Sequence, residues 1–319
     1  MLDDLIIQVS LLHDGRQATY WLYLLSSLLI AIIYLEPKAK LKTIHILTHR
    51  SARRDYGWFI INNIFTLFLL LPLVSGYSQF IVATFDEFLP LRTNTLLKST
   101  PSIWIDLIYT FTMFISYDLT YFCIHKRFHT DPMLWLFHQV HHNAEVLTPA
   151  TVFRVHPVET LIKVICISTV LSLTHHLFSY ITNDTLTLFS ITGANVFLWL
   201  FFISGYHLRH SHIAVHYPRV ISFILMSPIQ HQCHHSKVRK LSNCNYGFAL
   251  SIWDSLNRSI YIPEKGEVVE LPLKNISVSE QLSLPCKTAI KHYPLKAVFL
   301  FSCLLAPAII SIYHQYHHE

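Results

Sequence analysis

Histidine spacing is the most chemically loaded feature of this sequence. Within residues 118–145, DLTYFCIHKRFHTDPMLWLFHQVHHNAE, His125 and His129 stand four apart, and His138, His141 and His142 form an H-x-x-H-H group. A second H-x-x-H-H follows at His231, His234 and His235. On a helix, positions i, i+3 and i+4 share one face, so each group aims its imidazoles in one direction. Imidazole is the commonest metal-ligating side chain and suits Zn, Fe, Cu or Ni. The spacing therefore predicts a metal centre without naming the metal. The same triplet recurs at His314, His317 and His318. Only the first two copies stand beside further His at the ends of apolar spans, and they carry the expectation.

Holding those groups falls to apolar helices. Of the 319 residues, 52% are hydrophobic and 13% charged, against about 25% charged in an ordinary soluble domain. This composition predicts an all-α, polytopic integral membrane protein. Apolar runs at 18–35, 57–84, 103–124, 157–182, 185–205 and 295–313 are long enough to predict about six transmembrane helices. Pro72 and Pro307 interrupt two of them, and Asn183-Asp184 supplies a turn between the fourth and fifth. Segment 36–56 carries Lys38, Lys40, Lys42, Arg50, Arg53 and Arg54, whereas 85–102 carries only Arg92 and Lys98. The positive-inside rule then places 36–56 in the cytoplasm, the N-terminus outside, and both inner His groups in a helical cap facing the cytoplasm. The tail group falls on the opposite side. The chain divides into N-terminal membrane helices with a basic loop (1–102), a catalytic domain (103–263), and a polar loop with a C-terminal membrane helix (264–319). Residues 264–293 read as a solvated loop.

Several chemistries are excluded. The net charge of +5 is modest, and no nucleic-acid partner is expected. The six Cys (123, 166, 233, 244, 286, 303) show no paired spacing, so neither a disulfide framework nor a structural zinc site is expected. Cys233 reads as a neutral spacer. The opening MLDDLIIQ lacks the basic region of a signal peptide. H-E-x-x-H, G-x-G-x-x-G and the Glu-x-x-His pairs of soluble di-iron bundles are all missing. Three classes stay open: an O2-using metal oxygenase, a His-rich zinc hydrolase and a metal transporter. No clear nucleophile accompanies the His. Their place at one membrane face, instead of midway through the spans, also differs from usual transport sites.

Tyr117-Asp118 through His142, RVHPVE at 154–159, HQCHH at 231–235 and NYGFALSIWDSL at 245–256 together resemble the fatty acid hydroxylase / sterol desaturase superfamily. The resemblance covers roughly 105–263. It implies a membrane oxygenase with two non-haem Fe ions, using O2 and two electrons from an external reductase or electron carrier to hydroxylate a lipid C–H bond, with desaturation as the alternative outcome. Carried over residue by residue, the metal ligands are His125, His129, His138, His141, His142, His231, His234 and His235. A further ligand is expected within YHLRHSHIAVHYP, where His210 leads and His212 and His216 remain alternatives.

Metal-bound His usually passes its other N–H to a carboxylate or carbonyl. Asp118, two helical turns before His125 on the same face, is expected to do this, with Glu159, Asn245 and Asp254 as further candidates behind the ligands. His156 precedes Pro157 and reads as structural. Trp135, Phe137, Trp253, His175 and His176 read as packing. The basic segment 36–56 is the expected docking place for the electron donor.

Overall fold

The computed structural model describes residues 15–35, 40–88, 102–182, 186–267, 269–272 and 276–317. Its longer helices are α1 (Trp21–Tyr34), α2 (Lys40–Thr48), α3 (Arg50–Phe65), α4 (Leu71–Phe88), α5 (Ser102–Thr130), α6 (Pro132–His142), α7 (Pro157–Thr182), α8 (Val196–Ile203), α9 (Pro228–His234), α10 (Val278–His292) and α11 (Pro294–His317). The fold is mostly helical, as the composition leads one to expect.

Two helices are long and apolar enough to cross a membrane, Ile103–Thr130 and Pro157–Thr182. The 29 residues of α5 extend about 43 Å at 1.5 Å per residue, more than the roughly 30 Å of a hydrocarbon core. His125 and His129 stand in its final two turns, at the C-terminal end of the helix. Only 6% of the apolar window in α7 is buried inside the molecule, which suits lipid and not the core of a soluble protein. Phe68, Ile33, Leu295 and Phe299 likewise point outward. The two long helices pack together, with Tyr109 Oη and His175 Nδ1 hydrogen-bonded at 2.8 Å. Helix α4 packs on α7 and α11.

Several boundaries differ from expectation. The basic segment 36–56 is helical from residue 40 onward, as α2 and the start of α3. Helix α3 continues through a π-helical turn, Thr66–Leu70, into α4. Pro72 has no N–H for the carbonyl one turn back, and the widened turn just before it accommodates that gap. The fifth expected span, 185–205, is not one helix. Ser190–Ile191 pairs with Ala194–Asn195 in a hairpin that turns at Thr192-Gly193, both with positive φ, and only Val196–Ile203 is helical. Asn195 caps that short helix by accepting from Phe197 N. The expected loop 264–293 contains α10, started by a capping box in which Ser277 and Glu280 bond each other's backbone. Trp58 Nε1 donates to Gln281 Oε1 at 2.7 Å, which pins α10 to α3. The Asn183-Asp184 turn, Lys38, and Arg92 with Lys98 lie outside the described residues, as do the side chains of the tail group His314, His317 and His318.

Candidate metal centre

Helix-end chemistry brings the His together. Asp131 accepts from Met133 N and Leu134 N, and Pro132 opens α6 directly after α5 ends. The sharp reversal turns His138 and His142, four apart on α6, back toward His125 and His129. A capping box between Ser227 and Gln230, with Pro228 in the first turn, starts α9 and presents His231, His234 and His235. Gly205, at φ 98°, opens the 3-10 turn Tyr206–His210 that delivers His210.

The nine rings form two groups: His125, His129, His138, His142 and His234 in one, and His141, His210, His231 and His235 in the other. Within each group the potential ligand atoms lie within 4.8 Å of one another. His125 Nε2 stands 3.1 Å from both His138 Nε2 and His234 Nε2, and His142 Nε2 is 3.1 Å from His138 Nε2. In the second group, His210 Nε2 lies 3.2 Å from His141 Nε2 and 3.0 Å from His231 Nε2, and His235 Nε2 lies 3.2 Å from His231 Nε2.

Partners on the outer ring nitrogens identify what these contacts are. His125 Nδ1 faces the Tyr246 carbonyl at 2.7 Å and His234 Nδ1 the Cys244 carbonyl at 2.7 Å. His138 Nδ1 faces Glu159 Oε1 at 2.8 Å, and His141 Nδ1 the Arg154 carbonyl at 3.2 Å. Carbonyls and carboxylates accept, so these rings donate at Nδ1 and their Nε2 atoms carry lone pairs. Lone pairs facing each other repel, and a cation between them removes the conflict. Metal–nitrogen bonds of about 2.1 Å at right angles put neighbouring nitrogens about 3.0 Å apart, close to the spacing seen. Burial also holds His138, His141, His142, His210, His231 and His235 below the usual His range and His234 at about 3. The rings are therefore neutral donors at pH 7, the form a metal requires.

The expectation for Asp118 is corrected. Its carboxylate reaches no His. It accepts from Ala249 N (2.7 Å), Leu250 N (3.2 Å) and Trp253 Nε1 (2.8 Å). Asp254 accepts from Tyr246 N, Gly247 N and Ser259 Oγ. Asn245, at φ 56°, donates to the Gln230 and Tyr261 carbonyls. A Cβ on Gly247 would collide with the Leu250 carbonyl. All four residues shape the segment whose Cys244 and Tyr246 carbonyls orient His234 and His125. They act one layer further out than expected. Of the proposed carboxylates, Glu159 alone touches a ring in the centre, and its Oε1 also takes Lys163 Nζ at 2.6 Å.

A second clamp holds the segment after His142. Arg154 bonds Asp55, the Asn143 carbonyl, and the Ser51 carbonyl and hydroxyl, while Thr148 and Thr151 also donate to Asp55. Glu145 takes Arg50 at 2.9 Å and Arg54 at 3.4 Å. Two cations of the basic segment thus share one buried carboxylate, Arg54 mostly covered and Arg50 half exposed. His156 Nε2 donates to the Leu282 carbonyl and serves the fold, as expected.

His212 hydrogen-bonds Thr43 Oγ1 at 2.9 Å, and neither it nor His216 joins the rings. His207 holds the Ala18 carbonyl. Arg209 is the residue that spacing alone missed. It is 4% exposed, its Nη2 lies 3.1 Å from His231 Nδ1, its Nε has no partner, and no carboxylate among the described residues pairs with it. Phe248, Tyr206 and Phe201 rings surround it at 5.4 to 5.6 Å. A charge directly beside His210 in an apolar neighbourhood was the available signal.

Residues 110–259 match the fatty acid hydroxylase family. Ornithine lipid hydroxylase OlsE of Rhizobium tropici is 29% identical over 143 residues, 44% of this chain and 38% of that protein. The match thus spans about two-fifths of the relative's length. No solved structure matches.

Proposed function

We propose, on the match of residues 110–259 to the fatty acid hydroxylase family, that the chain is a membrane-bound, O2-dependent lipid hydroxylase whose two His groups hold a pair of iron ions. The observation that carries this reading is the set of facing Nε2 lone pairs of His125, His138 and His234, beside a second group of buried rings at the same ligand spacing. Five rings would hold one ion and four the other. Two irons held there would supply the activation of O2 for insertion into an unactivated C–H bond. The balance is R–H + O2 + 2 electrons + 2 H+ giving R–OH + H2O, with electrons from a separate reductase or carrier.

The chain's own residues fix and shield that site. Glu159 holds the proton of His138 at Nδ1 and places a carboxylate behind the five-ring group, which offsets metal charge. Tyr121, one turn before His125 on α5, covers its ring at 5.6 Å and packs on Phe248 at 4.7 Å. These aromatics put apolar surface on the bilayer side and exclude water from a reacting lipid carbon. The cytoplasmic orientation, from the positive charge on α2 and α3, is part of the same proposal. The name of the relative favours hydroxylation over desaturation, and the lipid itself is left open.

The test is metal content with O2-dependent lipid turnover on detergent-purified protein and on a His138→Ala/His234→Ala variant. About two irons per chain, lost in the variant together with oxygenated product, is the expected result. Zinc with no O2 dependence after anaerobic iron reconstitution would move a hydrolase or transporter to the front.

A further inference from the structure

Eight of the nine rings are buried, and His129 is the partly exposed one. Neither of its ring nitrogens makes a hydrogen bond. It opens onto a cavity of about 380 Å³ whose wall includes Trp135, Lys237, Arg239 and Asn243. Trp135 lies 5.1 Å from the His129 ring, 5.4 Å from His142 and 6.1 Å from His138. The cavity therefore reaches His129 itself, and the Trp135 indole in its wall packs against His129, His142 and His138 of the five-ring group.

The rim is basic. Segments 126–131 and 237–243 carry Lys126, Arg127, Lys237, Arg239 and Lys240 against one acid, Asp131. Asp131 already binds Lys296 at 3.2 Å, and Arg127 stands 3.9 Å from it. Lys237 meets Glu270 at 2.8 Å, yet its side chain stays 52% exposed. Arg239 and Lys240 are exposed and pair with no acid among the described residues. In the earlier basic segment Arg50 and Arg54 both pair with Glu145, and Arg50 keeps a comparable 51% exposure, but that segment does not line this cavity.

We propose that this mouth is the docking surface for an acidic one-electron carrier protein, which passes electrons to the five-ring group past His129 and Trp135. The inference rests on the oxygenase reading, because only a redox centre needs a reductant. In each encounter the carrier is oxidised by one electron and the centre reduced by one. Two encounters supply the two electrons of a turnover, and water supplies the protons. A partner with acidic surface is selected by charge complementarity, which raises encounter rates by about 10- to 1,000-fold and fades with salt. Lipid headgroups are the competing anion, but membrane attachment does not require a passage to the rings.

The probe is reduced plant-type [2Fe–2S] ferredoxin, an acidic carrier, with electrochemically reduced methyl viologen as a small cationic control. Stopped-flow reduction of the iron-loaded protein in detergent is compared with that of a Lys237→Glu/Arg239→Glu/Lys240→Glu variant. The wild type should be reduced by ferredoxin at a rate that falls steeply with ionic strength. The variant should lose at least tenfold of that rate while its iron content and viologen reduction stay unchanged. Equal ferredoxin rates would overturn the proposal. So would an unchanged ferredoxin rate combined with lost binding to vesicles containing anionic phosphatidylglycerol, which would assign the rim to lipid. Ferredoxin binding to zinc-loaded protein is read in parallel and does not depend on iron. A tenfold loss of affinity in the variant supports the docking surface even where turnover fails, and no saturable binding by the wild type contradicts it.

Discussion

The two His groups differ in what stands behind them. Among the five rings, His125, His138 and His234 each donate outward to a carbonyl or carboxylate, Glu159 adds negative charge, and His129 opens to the surface. The four-ring group is wholly buried, and His231 faces the guanidinium of Arg209, which can only donate. One pocket has the Glu159–Lys163 ion pair behind it and one partly exposed ring; the other has a guanidinium with no carboxylate partner among the described residues and only buried rings. Like charges repel strongly where water is excluded, so the two pockets should bind cations unequally even with similar donors. The lesson is that ligand spacing sets where metals sit, while the charges behind the rings set how tightly.

The largest break in this comparison comes from removing a ligand on one side only. His234→Ala should release the metal of the five-ring pocket, and His231→Ala that of the four-ring pocket. Each should leave about one metal per chain by elemental analysis and abolish lipid oxidation. Changing the charges behind the rings comes next. Glu159→Gln should weaken the five-ring pocket about 10- to 100-fold, whereas Arg209→Gln should strengthen the four-ring pocket about tenfold. Cobalt titration of the metal-free protein resolves the two steps, and opposite shifts are the expected result.

Acid should act on both pockets. Burial holds the folded-state pKa of these His below the 6.5 of the free side chain, with His234 at about 3. Below 6.5 the unfolded chain binds more protons than the folded one. Stability is thus complete above pH 6.5 and is lost progressively as pH falls toward 3. Thermal unfolding of metal-free protein in detergent, followed from pH 7.5 to 4.5, should show that decline. A midpoint that rises on acidification would contradict the neutral-ring assignment.

Smaller effects belong to residues outside the rings. Asp118→Asn removes the charged acceptor of two backbone amides and one indole, and should cost about 1–3 kcal/mol in stability while metal stoichiometry persists at saturating iron. His212→Ala should leave metal content unchanged and lower stability by no more than about 1 kcal/mol, because it loses a single half-buried hydrogen bond to Thr43.

These contrasts also mark what could be read in the residues alone. The rings were legible because i, i+3 and i+4 spacing forces imidazoles onto one helix face, and Glu159 because it lies in the first turn of α7 beside that face. Asp118 was misplaced by one layer. Helical periodicity located its side of α5 but could not show that residues 249–253 pack there and take its hydrogen bonds. The span at 185–205 failed because hydropathy is blind to Thr192-Gly193, where positive φ makes a hairpin. Arg209 was hidden because its meaning depends on His231, some twenty residues away in sequence and 3.1 Å away in space.

The central claim is that the two groups hold two unlike irons. It is tested most directly by Mössbauer spectroscopy of the protein reconstituted anaerobically with 57Fe, at one and at two equivalents. One signal is expected at the first equivalent, a second distinct signal at the second, and loss of the first site alone in His234→Ala. A single signal saturating at one iron, or no bound iron, would contradict it.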